Sequence, residues 1–135
     1  MTASNWADLE RQVYGAEFAI GAETAGDAIT VNVQLKDRND LDLNFVASGL
    51  GYLSSDAAGG TPVGIPTSIT AGTDGGVITI GNVGSDASAF VWVSEADGDL
   101  DVVITGDTGA DTVYLNIVLP TGQVVTSEAI VIAAD

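Results

Sequence analysis

Ala28-Ile29-Thr30-Val31-Asn32-Val33-Gln34-Leu35-Lys36 alternates apolar and polar residues without a break. A strand turns successive side chains to opposite faces, so Ile29, Val31, Val33 and Leu35 form one buried row and Thr30, Asn32, Gln34 and Lys36 a wet one. The same period returns on both sides of turn chemistry. Leu41, Leu43 and Phe45 alternate with Asp42 and Asn44 after the turn-forming Asp37-Arg38-Asn39-Asp40, and a further strand follows through Leu50, Tyr52 and Leu53. Glycines 59, 60, 64, 72 and 75, with prolines 62 and 66, then punctuate a stretch that reads as loop with at most a short edge strand. Beyond it the pattern predicts strands at 77–80, 89–94, 100–105, 112–119 and 124–132. Asp97-Gly98 reads as a hairpin signal, Gly106-Asp107-Thr108-Gly109 as a loop, and Pro120-Thr121-Gly122 as the closure of the last hairpin.

Seven or eight short strands with no helical crossover predict an all-β chain, an antiparallel β-sandwich that is immunoglobulin-like in strand count. A small closed barrel is the competing architecture. Phe90-Val91-Trp92-Val93 is apolar on both faces, with Trp92 the expected core anchor. Val113, Leu115, Ile117 and Leu119 line one face of a strand opposite Tyr114 and Asn116.

The 135 residues suffice for one domain with one hydrophobic core, and there is no cysteine to staple it. Nineteen acidic residues against three basic ones give a formal charge of −16. The 46% hydrophobic content separates this chain from disordered acidic segments, in which charge accompanies low hydropathy. Arg11, Lys36 and Arg38 are too few to displace counterions from phosphates, which argues against a nucleic-acid partner. The same deficit disfavours an anionic membrane surface, and no apolar run reaches the length of a spanning helix. The first residues lack the basic start and apolar stretch of a secretory signal, so the chain either stays inside the cell that makes it or has had a signal removed, and Met1 favours the former. Without His or Cys there is no imidazole-activated nucleophile, thiolate or imidazole metal ligand. A carboxylate pair of the glycosidase kind is formally available, but most acidic side chains in a domain of this size are solvated surface charge. No catalytic, cofactor-binding or metal-binding residue is assigned.

Residues 4–14 carry the one helical period. Ser4 or Asn5 is a possible cap, and Trp6, Leu9 and Val13 fall on one face. Three turns or fewer are marginal alone, so the segment docks on its own domain or on a neighbour, or frays. The expected organisation is an N-terminal arm over 1–15, helical or extended, followed by the sandwich over 16–135.

Three motifs have plainer explanations than chemistry. Asp97-Gly98-Asp99-Leu100-Asp101 spaces carboxylates as acidic calcium loops do, but an EF-hand needs glycine where Val102 stands and glutamate where Thr108 stands. An acidic turn explains it. The glycine pairs at 59–60 and 75–76 lack the lysine and helix of a phosphate-binding loop, and Leu119-Pro120-Thr121-Gly122 is a turn.

Ala28 to Asp37, Tyr52-Leu53-Ser54-Ser55-Asp56-Ala57, Gly72-Thr73-Asp74-Gly75, Ser94-Glu95-Ala96-Asp97-Gly98-Asp99 and Tyr114 to Gly122 together resemble small immunoglobulin-like structural proteins of tailed bacteriophages, over residues 16–133. The resemblance implies a non-enzymatic head decoration or cement protein on the outer capsid surface of the virion, with the major capsid protein as partner, a homo-oligomeric state on the particle, and no cofactor. An acidic chain suits the outer surface, since packaged DNA would repel it inside. Docking is expected through this N-terminal arm and the sandwich edge, with Trp6, Leu9, Val13 and Tyr14 as the interface residues, and removal of 2–14 is expected to leave the sandwich folded and abolish particle binding. The competing class is an adhesive module of a head fibre, tail or bacterial surface protein that binds glycans, against which the small number of aromatics speaks. The absence of a built calcium loop gives a direct expectation: micromolar calcium leaves the thermal midpoint unchanged, and a shift of several degrees in a calcium titration would contradict it.

Overall fold

The structure is a computed structural model in which residues 12–135 are described. Its strands are β1 (Gly15–Ile20), β2 (Ala28–Lys36), β3 (Ser48–Ser54), β4 (Ser68–Ala71), β5 (Gly76–Val83), β6 (Asp86–Val93), β7 (Asp99–Thr105), β8 (Asp111–Val118), β9 (Val124–Thr126) and β10 (Ile130–Ile132). Strand β2 has the span the alternation predicts, and its apolar row Ile29, Val31, Val33 and Leu35 is buried. The strands form two antiparallel sheets. One has the order β1-β2-β7-β4; in the other, β10-β8-β3-β6-β5, strand β9 also pairs with β8.

This is an antiparallel β-sandwich, and the spatial order of its strands can be set beside that of immunoglobulin-like domains. Strands β1, β2, β7 and β4 take the A, B, E and D places, and β3, β8 and β9–β10 take C, F and G. The β5–β6 hairpin extends the second sheet beyond the C place.

The core fills the space between the sheets with Val31, Val33, Leu35, Leu100, Val102 and Ile104 from one side and Leu53, Phe90, Trp92, Leu115 and Ile117 from the other. The largest of these rings depend on what β3 lacks. Gly49 pairs with Trp92 and Gly51 with Phe90, and a Cβ at either glycine would overlap the ring beside it. The Trp92 indole N–H donates to the Leu50 carbonyl at 2.8 Å, which satisfies its one polar group inside the core.

Several sequence expectations need correction. Leu41 to Phe45 is not a strand: it crosses between the sheets, holding β2 through the Asp37 N–H to Leu41 carbonyl and Leu43 N–H to Leu35 carbonyl bonds, so Leu43 is buried while Leu41 is exposed. Asp97-Gly98 does make a tight turn, with Gly98 at φ +75°, but β6 and β7 belong to different sheets, so it is not a hairpin. The predicted strand over 124–132 is two strands. At their junction the Ser127 hydroxyl accepts the Leu115 N–H at 3.0 Å in place of a ladder carbonyl, and the register along β8 shifts by one residue. With that split, and with β1 and β4 formed, the described residues hold ten strands where seven or eight were expected.

The N-terminal expectation divides. Residues 4–11 of the helical segment, with Trp6 and Leu9, lie outside the described residues. Gln12 to Tyr14 are not helical: the Tyr14 N–H bonds the Lys36 carbonyl at 2.9 Å, extending the β1–β2 ladder, and Val13 is buried in the core. Removing residues 2–14 therefore takes away a core valine as well as the arm. The β3 recess supplies its own test. Gly51→Ala forces a methyl group into the Phe90 ring and is expected to destabilise the chain by about 1–3 kcal/mol, the usual cost of overpacking, read as a lower urea midpoint with unchanged slope.

Candidate interaction face

The two outer faces of the sandwich have opposite chemistry, and the sequence of each strand decides it. Outward from the four-stranded sheet come Glu17, Asn32, Gln34, Lys36, Asp99 and Asp101. The Asn32 amide donates to Asp99 at 2.6 Å and to Asp101 at 2.9 Å, and Lys36 pairs with Asp42 at 2.7 Å. The other sheet carries almost no charge. Strands β3, β5, β9 and β10 contain no charged residue, and β6 and β8 have one each, Asp86 and Asp111, only at their first positions.

Register turns that composition into a continuous surface. Ile78 of β5 pairs with Val91 of β6, Val91 with Leu50 of β3, Leu50 with Val118 of β8, and Val118 with Val124 of β9. An aliphatic row thus crosses the full width of the sheet. Ile78 is 70% exposed, Leu50 50% and Val124 43%. Beside the row, Leu50, Tyr52, Pro62, Ile80, Val83 and Val118 border an apolar groove of about 380 Å³. A continuous exposed apolar row in a chain so charged elsewhere makes this face the candidate interaction surface.

The chain itself covers the neighbouring part of the face. Residues 55–61 fold over Tyr52 and Asn116: the Tyr52 hydroxyl donates to the Gly59 carbonyl at 2.6 Å, and Asn116, fully buried, donates to Ser54 and accepts from Thr126. The loop is held from inside by Asp56, whose carboxylate accepts the N–H groups of Thr61 at 2.9 Å and Gly60 at 3.1 Å. Those bonds place its carboxyl below the usual aspartate range. The aliphatic row begins where this cover ends.

The carboxylates of the 97–101 motif do not converge on one centre: Asn32 bridges Asp99 and Asp101, and each of the three also has contacts of its own. Asp97 accepts the Asp99 N–H at 3.2 Å and so shapes the turn. Asp101, buried, accepts the Thr73 and Asp74 N–H groups at 3.2 Å each and anchors the β4–β5 link. Asp99 comes within 4.8 Å of Asp74 and Glu95, a crowding of three carboxylates that proton uptake relieves. Partial burial, then the hydrogen-bonding proximity of Asp99 and Glu95, pushes the Asp74 carboxyl up to about 6. A second group brings the carboxylates of Glu23, Asp27 and Asp135 together, and the Ala133 N–H donating to Glu23 at 2.7 Å holds residue 133 to the β1–β2 turn.

Of the four interface residues expected from sequence, Val13 is buried within its own domain. Tyr14 is at the surface, 40% exposed, with its hydroxyl on the Gln12 side chain. Neither belongs to the aliphatic row. The signal that pointed to the row was already in β6, whose residues 90–93 are apolar on both faces. Its buried side is Phe90 and Trp92, and its other side supplies Val91 to the row.

Asp74 binds its proton more tightly in the folded chain than in the unfolded one, so its contribution to stability is greatest in acid and is lost as pH rises through about 6. Asp74→Asn mimics the protonated group and is expected to raise the thermal midpoint at pH 7.5 and to reduce the gain on acidification to pH 5. A variant whose melting profile follows the wild type at both pH values would contradict this. Comparison with protein-family models, curated proteins and solved structures returns no match, so what the aliphatic face does follows from its own chemistry.

Proposed function

We propose that this chain is a non-catalytic structural protein of a tailed-bacteriophage particle, mounted on the outer capsid surface through the aliphatic face of its six-stranded sheet, with the major capsid protein as partner. The observation that carries the reading is the uncharged row from Ile78 to Val124 in a chain of formal charge −16. A strongly acidic protein stays soluble and apart from its copies before assembly, while one neutral face is left free to dock. The acidic four-stranded face then turns to solvent, away from packaged DNA.

Magnitudes fit repeated attachment. Covering a half-exposed aliphatic side chain contributes about 1 kcal/mol, so five in a row contribute about 5 kcal/mol, comparable to the cost of immobilising one copy. A single contact is therefore weak, and a symmetric oligomer engaging several shell subunits multiplies it. For the adhesive alternative this face offers only part-exposed tyrosines: Trp92 is buried, Tyr52 has its hydroxyl on Gly59, and Tyr114 of β8 is half-buried.

Leu50→Lys sets a charge in the middle of the row at an exposed position, so the fold survives. Co-sedimentation with shells of the major capsid protein encoded in the same genome is expected to fall at least tenfold, while Thr30→Lys on the opposite sheet keeps full occupancy. Equal binding by Leu50→Lys and wild type would overturn the reading.

A further inference from the structure

The sandwich has four sheet edges, and three of them are closed to an added strand. Strand β1 carries Glu17, exposed and beside Lys36; β4 is only four residues long; β9 and β10 are interrupted at Ser127. These are the usual protections of natural edges: charge, shortness and irregularity. Strand β5 differs. Its eight residues, Gly-Val-Ile-Thr-Ile-Gly-Asn-Val, include no charge and no proline, and β6 is its one sheet partner among the described residues.

Its irregularity leaves the strand continuous. Thr79 pairs with Phe90 and Gly81 with Ala89, which makes Ile80 an extra residue on β5. Asn82 then pairs with Ala87, so Ser88 is an extra residue on β6 and the register is restored before the Gly84-Ser85 turn. Ile78 and Ile80, 70% and 57% exposed, stand at this edge at the end of the aliphatic row.

Both ends of β5 are acidic. Before its first residue stands Asp74 with Glu95 and Asp99; past the turn at its last residue stands Asp86, near enough to Asp107 and Asp111 for mutual repulsion to be felt. One Asp111 carboxylate oxygen is buried without a hydrogen-bond partner. An antiparallel second copy of this chain on β5 would bring the acidic start of one strand against the acidic end of the other.

We infer that β5 is the acceptor edge for an added strand, and that the occupant is an extended aliphatic segment of another protein with lysine or arginine at both ends. Main-chain hydrogen bonds along about 26 Å of strand hold such a segment, its side chains continue the row beyond Ile78, and its terminal cations meet the two acidic groups. The inference rests on the docking reading above and names the chemistry of the partner.

The probe is a labelled peptide, Lys-Lys-Val-Thr-Ile-Thr-Val-Thr-Lys-Lys, titrated into the full chain. Binding is followed by anisotropy and amide chemical shifts. The expected result is shifts concentrated in residues 76–83, at least tenfold weaker binding to Ile78→Lys, and weaker, less salt-dependent binding to the Asp74→Asn/Asp86→Asn double variant. The same peptide with its four lysines replaced by glutamate is expected to bind at least tenfold more weakly. Equal binding of the two peptides, shifts confined to another edge, or a dimer in sedimentation that Ile78→Lys dissociates would overturn the inference. Shell binding is scored separately. Wild-type attachment to shells without any peptide binding overturns the edge assignment alone, and full attachment by Leu50→Lys overturns the docking reading while the peptide result stands.

Discussion

The sandwich depends on two rings lying across two glycines. Trp92 and Phe90 are among the largest fully buried side chains, and both come from β6, the strand next to β3. They turn inward over a neighbour that offers no side chain at positions 49 and 51. That arrangement fixes β3 against β6. It also fixes which residues of β3 face out: with the inward places given to glycine and Leu53, Leu50 and Tyr52 lie on the outer side. The recess that builds the core and the apolar outer face are therefore two results of one alternation.

Much of the fold was legible because strand periodicity is local. Strand β2 is read residue by residue from its alternation, and the last hairpin from Pro120-Thr121-Gly122, whose closure is the Leu119 N–H to Gln123 carbonyl bond at 2.8 Å. What a turn does at longer range was not legible. Asp97-Gly98 makes the bend its chemistry demands, yet whether the two strands then pair or part into different sheets is decided by β6 packing against β3 and β7 against β2. Leu41 to Phe45 failed for a similar reason, since alternation also suits a segment that crosses between layers and plugs the end of the core with Leu43.

The interaction face was legible only in part. The helical period of the N-terminal segment points to a docking element there, yet its Val13 is a core residue. The aliphatic row is assembled from five strands, one residue from each, and its register is a property of the folded sheets. Only β6, apolar on both sides, announced it locally.

Ser127 gives the second sheet a stopping rule. Because its hydroxyl replaces a carbonyl in the ladder, the margin formed by β9 and β10 offers an incoming backbone no even run of donors and acceptors. Head-to-tail growth, in which the open margin of one molecule meets the far margin of the next, has nothing to grip. A chain that is apolar on one face is thus kept from pairing copy to copy through this margin.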